Sequence, residues 1–363
     1  MKKILITGGH LTPALALLDE LEEEKDIKLF FIGRKYATEN SINLSAEFTI
    51  IKERNINFYS LTTGRLQRKF TKYTLTSLLK IPVGFVQSFY YLLANRPGIV
   101  VSFGGYMSTP VVFAAWLLKI PSVTHEQSTI PGLANKINAI FTKKVYLAWP
   151  QTKKYFAKAT VIGNPTRKLI FNQETTNDKI KIFIGDSKKI IYITGGNQGS
   201  HFINGLIFDS LDLIKGYKII HQVGATNYKG DLDKALAIKN TNYLALDYVR
   251  QDCLGYILNS ASFVISRSGA NTVWELAVLG KPCILIPLPI AASGEQLQNA
   301  QILKNNGCAI VLSQHDATPG LLLKSINEIE KNFAMYQKNS INLKKTLPKN
   351  AAGVLKENIL KLI

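Results

Sequence analysis

The stretch of this 363-residue chain best equipped for chemistry is Ser266–Asn299, SRSGANTVWELAVLGKPCILIPLPIAASGEQLQN. The apolar run before it, Phe263–Ile265, reads as a buried strand. It stops at Ser266-Arg267-Ser268-Gly269, after which Val273, Leu276 and Ala277 fall at helical spacing. Ser268 reads as the N-cap, Gly280 as the stop, and Pro282 bars continuation. A strand, a small-residue turn and a helix N-terminus make an anion site. Several N–H groups point outward there, and the macrodipole adds about half a positive charge. Thr272 and Glu275 lie three residues apart and share one face of the first turns. A carboxylate so placed suits the paired hydroxyls of a ribose; it equally suits a plain partner for the helix dipole.

The elements that must position such a site read as alternating strands and helices. Lys3–Thr7 is a first strand running into Gly8-Gly9-His10, with Thr12-Pro13 as cap and first residue of a helix. Ile27–Ile32 follows, then shorter strands at Phe48–Ile51 and Ile56–Leu61. Between Thr62 and Asn95, basic residues (Arg65, Arg68, Lys69, Lys72, Lys80) interleave with apolar and aromatic ones such as Phe70, Tyr73, Phe85 and Tyr90. This predicts core helices broken near Pro82, a basic-aromatic surface for anionic lipid headgroups, or both on different faces. Ile99–Phe103, Ser122–Thr124, Val145–Leu147 and Thr160–Ile162 continue the series, with Thr109-Pro110 opening another helix. Asn172–Lys189 is polar and poorly periodic. Ile191–Asn197 then repeats the opening, IYITGGN against ILITGGH, so each half begins with a strand feeding a Gly-Gly turn. The strand Cys283–Leu288, a helix carrying Gln296 and Asn299, and a short amphipathic helix with Val354, Leu355 and Ile359 close the chain.

These patterns predict an α/β chain of two Rossmann-like domains with parallel sheets facing across a cleft. The first is expected over residues 1–163 and the second over 164–344. The tail, 345–363, either closes the second domain or crosses back to the first. Net charge is +19, from 44 Lys and Arg against 25 Asp and Glu, which favours an anionic partner. No nucleic-acid-binding signature accompanies that charge. Cys253, Cys283 and Cys308 are scattered without metal-ligand spacing and read as reduced core residues. Gly8-Gly9-His10 interrupts any signal-peptide core, and no apolar run approaches the roughly 20 residues of a membrane span. A cytoplasmic protein, at most peripheral to a membrane, is expected.

Several stretches, in order, resemble the MurG family of bacterial cell-wall glycosyltransferases. They are TGGHLTPALAL (7–17), SFGGYMSTP to GLANK (102–136), GNPTR (163–167), GGNQGS (195–200), SRSGANTVWELAVLGKPCILIPLP (266–289) and EQLQNA (295–300), with TGRLQRKF (63–70) as the basic segment. The resemblance implies a GT-B fold and an inverting transfer of N-acetylglucosamine from UDP-N-acetylglucosamine to a polyprenyl-diphosphate-linked muramoyl-peptide (lipid I to lipid II) in peptidoglycan synthesis. It implies no metal and no cofactor, and a peripheral seat on the cytoplasmic face of the membrane. Glu275 becomes the ribose ligand. Ala270, Asn271, Thr272, Val273 and Trp274 would lie along uracil and phosphates, with Gln296 nearby, and Ser268, Gly269 and Asn299 complete the substrate-binding set. Arg167, Asn197 and Val249 fall on other donor-contact positions. Thr7, Gly8, Gly9 and His10 form the acceptor-side loop, with Glu126 and Ser128 in the HEQ motif.

The chain departs from the family in three places: a shorter Gly run before TGGH, Ser128 where Asn is usual, and Asn197 where Ser is usual. Chemically, the reaction needs a base for the incoming hydroxyl and compensation for the leaving UDP. His10, neutral near pH 7 and at a helix N-terminus, suits the base; Glu126 is the competitor, or else a carboxylate bracing its loop. The helix after Ser268 and the N–H groups of Gly196–Gly199 would meet the leaving charge. Two other readings remain from the residues: a transferase with a different lipid acceptor, and a non-catalytic nucleotide-sugar-binding protein.

Overall fold

The computed structural model describes residues 1–36, 43–64, 74–187, 189–289 and 294–363. Arg65, Arg68, Lys69, Phe70, Lys72 and Tyr73 of the basic-aromatic segment lie outside the described residues. The chain forms two units, Met1–Arg167 with Asn350–Ile363, and Lys168–Lys349.

In the first unit β1 (Lys2–Thr7), α1 (Leu11–Leu21), β2 (Ile27–Gly33), α2 (Ala46–Glu53), β3 (Asn57–Ser60), α3 (Thr74–Asn95) and β4 (Ile99–Ser102) come first. Then follow α4 (Ser108–Leu117), β5 (Ser122–Glu126), α5 (Leu133–Phe141), β6 (Lys144–Leu147) and β7 (Ala159–Val161). The strands pair in parallel in the order β3-β2-β1-β4-β5-β6-β7. Both faces of such a sheet are covered, which is why Ile4, Leu5 and Ile6 are all fully buried instead of alternating.

Three expectations are corrected here. Phe48–Ile51 is helical, not a strand: the Ser45 hydroxyl accepts the Phe48 N–H at 3.1 Å, and Glu47 in the first turn complements the dipole. Pro82 does not break α3. The proline forfeits one N–H, while Ser77, Ser88 and Leu92 bury one side of the helix and hold it together. The helix after β1 begins at Leu11 with His10 at the cap position, two residues before the expected start.

The second unit contains α6 (Asp178–Ile184), β8 (Ile190–Thr194), α7 (His201–Phe208), β9 (Lys218–Gln222), α8 (Asp231–Leu236), β10 (Tyr243–Leu246) and α9 (Gln251–Ser260). It continues with β11 (Phe263–Ser266), α10 (Ala270–Leu279), β12 (Cys283–Leu285), α11 (Glu295–Asn305), β13 (Ala309–Val311), α12 (Pro319–Lys331) and α13 (Phe333–Thr346). Its parallel order is β10-β9-β8-β11-β12-β13. The polar stretch 172–189 holds α6, which the Asn177 side chain caps by accepting the Ile180 N–H. Strand β12 ends at Leu285, before Pro287 and Pro289, which have no N–H for a ladder. The last helix, α14 (Ala351–Leu360), returns to the first unit, where Leu355 and Ile359 join the cluster of Leu15, Leu18 and Leu21 from α1.

In each sheet the strand order reverses once, between β1 and β4 and between β8 and β11. A crevice opens at such a reversal beyond the carboxyl ends of the strands, because the two following helices leave on opposite faces.

Candidate active site

At the first reversal two glycine turns interlock. Gly8 has φ +144°, and a Cβ there would stand 2.8 Å from the Phe103 backbone nitrogen, so only glycine fits. The Gly9 N–H donates to the Gly104 carbonyl at 2.9 Å. It is therefore used inside the protein and is not offered to a phosphate. Thr7 is fully buried, with its hydroxyl turned into the interior. His10 follows with extended backbone and makes no side-chain capping bond, so its imidazole is not spent on the helix. The residue as a whole is half-buried, and the packing around its ring pushes its pKa down to about 4. At neutral pH it carries a lone pair and no charge.

Beside it, β5 delivers His125 and Glu126. The His125 Nε2 stands 2.9 Å from the Gly163 carbonyl, which sets the tautomer with the proton on Nε2. Burial lowers this imidazole to about 4 as well. The Glu126 carboxylate accepts three N–H donors: the Ser128 backbone at 2.9 Å, the Gly132 backbone at 3.1 Å and Asn135 Nδ2 at 2.9 Å. Asn135 in turn accepts from Thr124 Oγ1 at 2.7 Å. So engaged, Glu126 braces the 127–132 loop, the alternative to a role as the competing base. Ser128 is buried, and its carbonyl accepts from Thr152 Oγ1 at 2.9 Å.

At the second reversal lies a cavity of about 640 Å³, within the usual range for small-molecule sites. Gly195, Gly196, Gln198, Gly199 and Ser200 of the turn, the start of α7, Arg267, Gly269, Thr272 and Gln296 line it. Within the turn, the Gly196 N–H goes to Thr194 Oγ1 and the Gly199 N–H to the Gly196 carbonyl. Arg267 donates to Ser200 Oγ at 2.8 Å and to the Ile286 carbonyl at 3.0 Å, joining the turn to the residue after β12. Glu275, one turn into α10 and only partly exposed, has its carboxyl raised to about 7 by desolvation.

Several expected contacts are repositioned. Ser268 is not the N-cap of α10: Gly269 holds that position, and Ser268 Oγ is buried without a hydrogen-bond partner. The side chains of Val273 and Trp274 are in the core, 0% and 1% exposed, because helical spacing turns them away from Thr272. Only their backbone could meet a ligand. Asn299 is fully buried and reaches the Ser268 carbonyl at 3.4 Å, bracing the turn from beneath. Gln296 lines the cavity while its Oε1 accepts the Leu288 N–H at 3.0 Å. Val249 is 4% exposed. Asn197 is absent from the cavity lining; its carbonyl accepts from Ala225 N. Arg167 pairs with Asp19 of the first unit at 2.8 Å. Ala270 and Asn271 sit in the first turn of α10 as expected.

Residue spacing did not reveal the far wall of this cavity. Asp231, buried at the start of α8, holds His201 Nδ1 at 2.8 Å and Asn204 Nδ2 at 2.8 Å. Asn204 Oδ1 meets His221 Nε2 at 3.1 Å, and His221 Nδ1 meets the Tyr243 hydroxyl at 2.8 Å. Burial pushes His221 down to about 3. The available signal was Gly224, two residues past the end of β9, marking a turn at the same sheet edge.

Two parallel sheets, each with a glycine-lined crevice at its reversal, define the class: a two-domain GT-B glycosyltransferase fold. The N-terminal domain of glycosyltransferase family 28 matches residues 7–147, and the C-terminal domain of that family matches residues 190–353. The UDP-N-acetylglucosamine--N-acetylmuramyl-(pentapeptide) pyrophosphoryl-undecaprenol N-acetylglucosamine transferase of Clostridium tetani is 34% identical over 349 residues, covering 94% of this chain and 93% of that protein. Its Clostridium botulinum counterpart is 36% identical over 370 residues, covering 99% and 98%. The crystal structure of Acinetobacter baumannii MurG superposes with a TM-score of 0.72 at 22% identity, covering 99% of this chain and 100% of that one. The chain belongs to the MurG family within glycosyltransferase family 28.

Proposed function

We propose that the chain transfers N-acetylglucosamine from UDP-N-acetylglucosamine to a polyprenyl-diphosphate-linked muramoyl-peptide, with inversion, in peptidoglycan synthesis. The observation that carries this reading is the crevice of the second unit. It joins a cavity of nucleotide-sugar size to two helix starts, α7 and α10, whose dipoles favour a diphosphate. Glu275 stands one turn further along α10 for the ribose hydroxyls. On the acceptor side His10, held neutral, takes the proton of the attacking hydroxyl. The hydroxyl oxygen bonds to the anomeric carbon as the bond from that carbon to the UDP oxygen breaks. UDP departs with the negative charge, which the helix starts stabilise.

The same reading seats the protein peripherally on the cytoplasmic face of an anionic membrane. Helix α3 exposes Leu75, Leu79, Val86 and Tyr90 at 66%, 67%, 71% and 67%, far too much apolar surface for a helix that packs only inward. Against the expectation that no apolar run approaches the length of a span, Ser77–Asn95 is long and apolar enough to cross a membrane, with 22% of that stretch buried. Its aromatic links favour a surface seat: Phe85 stacks edge-on against Phe113 of α4, which contacts Trp116 and Phe141.

The deciding experiment supplies purified protein with UDP-N-acetylglucosamine and the lipid-linked acceptor. UDP release coupled to acceptor glycosylation is expected, and its absence overturns the reading. His10→Ala is expected to lower kcat by about 10²–10⁴, the usual worth of a general base. A loss within about threefold removes His10 from that role.

A further inference from the structure

A second pocket, about 200 Å³, lies in the first unit away from the Gly8–His10 turn. It is lined by Arg34 and Lys35 after β2, Ser60 to Thr63 at the end of β3, Lys80 of α3, and Tyr106 after β4. Among the described residues no Asp or Glu lines it. The Lys35 ammonium lies over the rings of Tyr36 and Phe48, at 5.4 and 5.8 Å, and among the described residues it meets no carboxylate. The Arg34 guanidinium stands 4.0 Å from Glu47, whose carboxylate is also taken up by the Arg34 backbone N–H. Cations, hydroxyls and an aromatic wall in a small concavity are the chemistry of a carboxylate receptor.

The position says which carboxylate. The pocket belongs to the same carboxyl edge of the sheet as His10, since Tyr106 directly follows the Gly104–Gly105 turn that touches Gly9. Strands lie about 4.8 Å apart, so the end of β3 is about 10 Å from the end of β1. An extended peptide covers about 3.4 Å per residue, so about three residues bridge that gap. A diphosphate joined directly to the reacting sugar stays nearer the turn. Resting on the transferase reading above, we propose that this pocket binds a carboxylate of the acceptor's peptide and thereby selects acceptors that carry one.

The test compares two soluble short-chain acceptors, one with free peptide carboxylates and one with all of them amidated. Wild-type protein is expected to favour the first by about tenfold in kcat/KM, mostly through KM. Lys35→Ala and Arg34→Gln are each expected to bring that ratio towards one, with the KM for UDP-N-acetylglucosamine unchanged. A wild-type ratio of one, or variants that keep the wild-type ratio, overturns the proposal. So do variants that lose binding to phosphatidylglycerol vesicles while keeping the ratio, because the pocket then serves a lipid headgroup. Titration of the free carboxylated peptide onto wild-type and Lys35→Ala protein separates this proposal from the reading it rests on. Lys35-dependent peptide binding without any turnover fails the transferase reading alone. Absence of such binding, in protein of unchanged melting temperature, overturns the pocket.

Discussion

Glu275 is the residue where stability and function pull apart. Its carboxyl titrates near 7 instead of the usual 4.5, because α10 removes it from water without supplying a cation. An acid whose pKa is raised by folding opposes the folded state once ionised. Its penalty is absent below about 4.5, grows as pH rises towards 7, and is complete above that. Glu275→Gln is therefore expected to raise the melting temperature at pH 8, by the equivalent of about 1–3 kcal/mol, and to leave it unchanged at pH 4. The same variant is expected to raise the KM for UDP-N-acetylglucosamine about tenfold, since an amide accepts fewer hydrogen bonds from a diol than a carboxylate does. Thermal melts at the two pH values and donor kinetics check both halves. A stabilised variant with unchanged donor KM would remove Glu275 from the site. Thr272, which lines the cavity, was legible in the sequence because of its place in the first turn of the helix, and three-residue spacing puts Glu275 on the same face of α10, outside the lining itself. Val273 and Trp274 look no different in a motif, yet the helix turns them inward. The His201–Asp231 pair was illegible, since its members lie 30 positions apart and meet only when the loop after β9 folds back on α7.

At the scale of elements, α3 carries the proposed membrane seat, and the argument for it is geometric. Leu79 and Val86 are seven residues apart, so they stand on one face of the helix, and both are more than 60% exposed. Replacing them together by Glu removes apolar surface and adds negative charge to a chain of net charge +19. The double variant is expected to lose most of its binding to anionic vesicles and to keep its affinity for UDP, with stability changed by less than about 1 kcal/mol, as for exposed sites. Vesicle flotation in low and high salt measures the first and calorimetry the second. Undiminished flotation would move the seat elsewhere. The sequence displayed an alternation of basic and aromatic residues, of which Lys80, Phe85, Phe89 and Tyr90 lie on α3, but it overweighted Pro82. Proline punctuates a helix when nothing else holds it, whereas here the buried side of α3 does. Ser45 taught the converse: a single hydroxyl at a cap position turned an apolar run from strand to helix.

At the scale of the molecule, the repeated ITGG turn announced two halves by itself, and both sheets reverse where those turns fall. Nothing comparable indicated where the tail docks. An apolar stripe at Val354, Leu355 and Ile359 states that the helix is buried and is silent about the surface that buries it. Its seat on α1 makes the first unit discontinuous in sequence, completed only by residues that follow the whole of the second unit. Leu355 is fully buried, so Leu355→Ala is expected to cost the first unit about 2–5 kcal/mol. The second unit, Lys168–Lys349, is continuous in sequence with its own core of Ile191, Ile193, Ile265 and Ile284, and is expected to be untouched. Calorimetry can tell the two apart, because UDP stabilises only the unit that binds it and so marks that unit's transition. In Leu355→Ala the UDP-insensitive transition should fall while the UDP-sensitive one stays in place. If both fall together, the units unfold as one body, and α14 is supporting more than the sheet it covers.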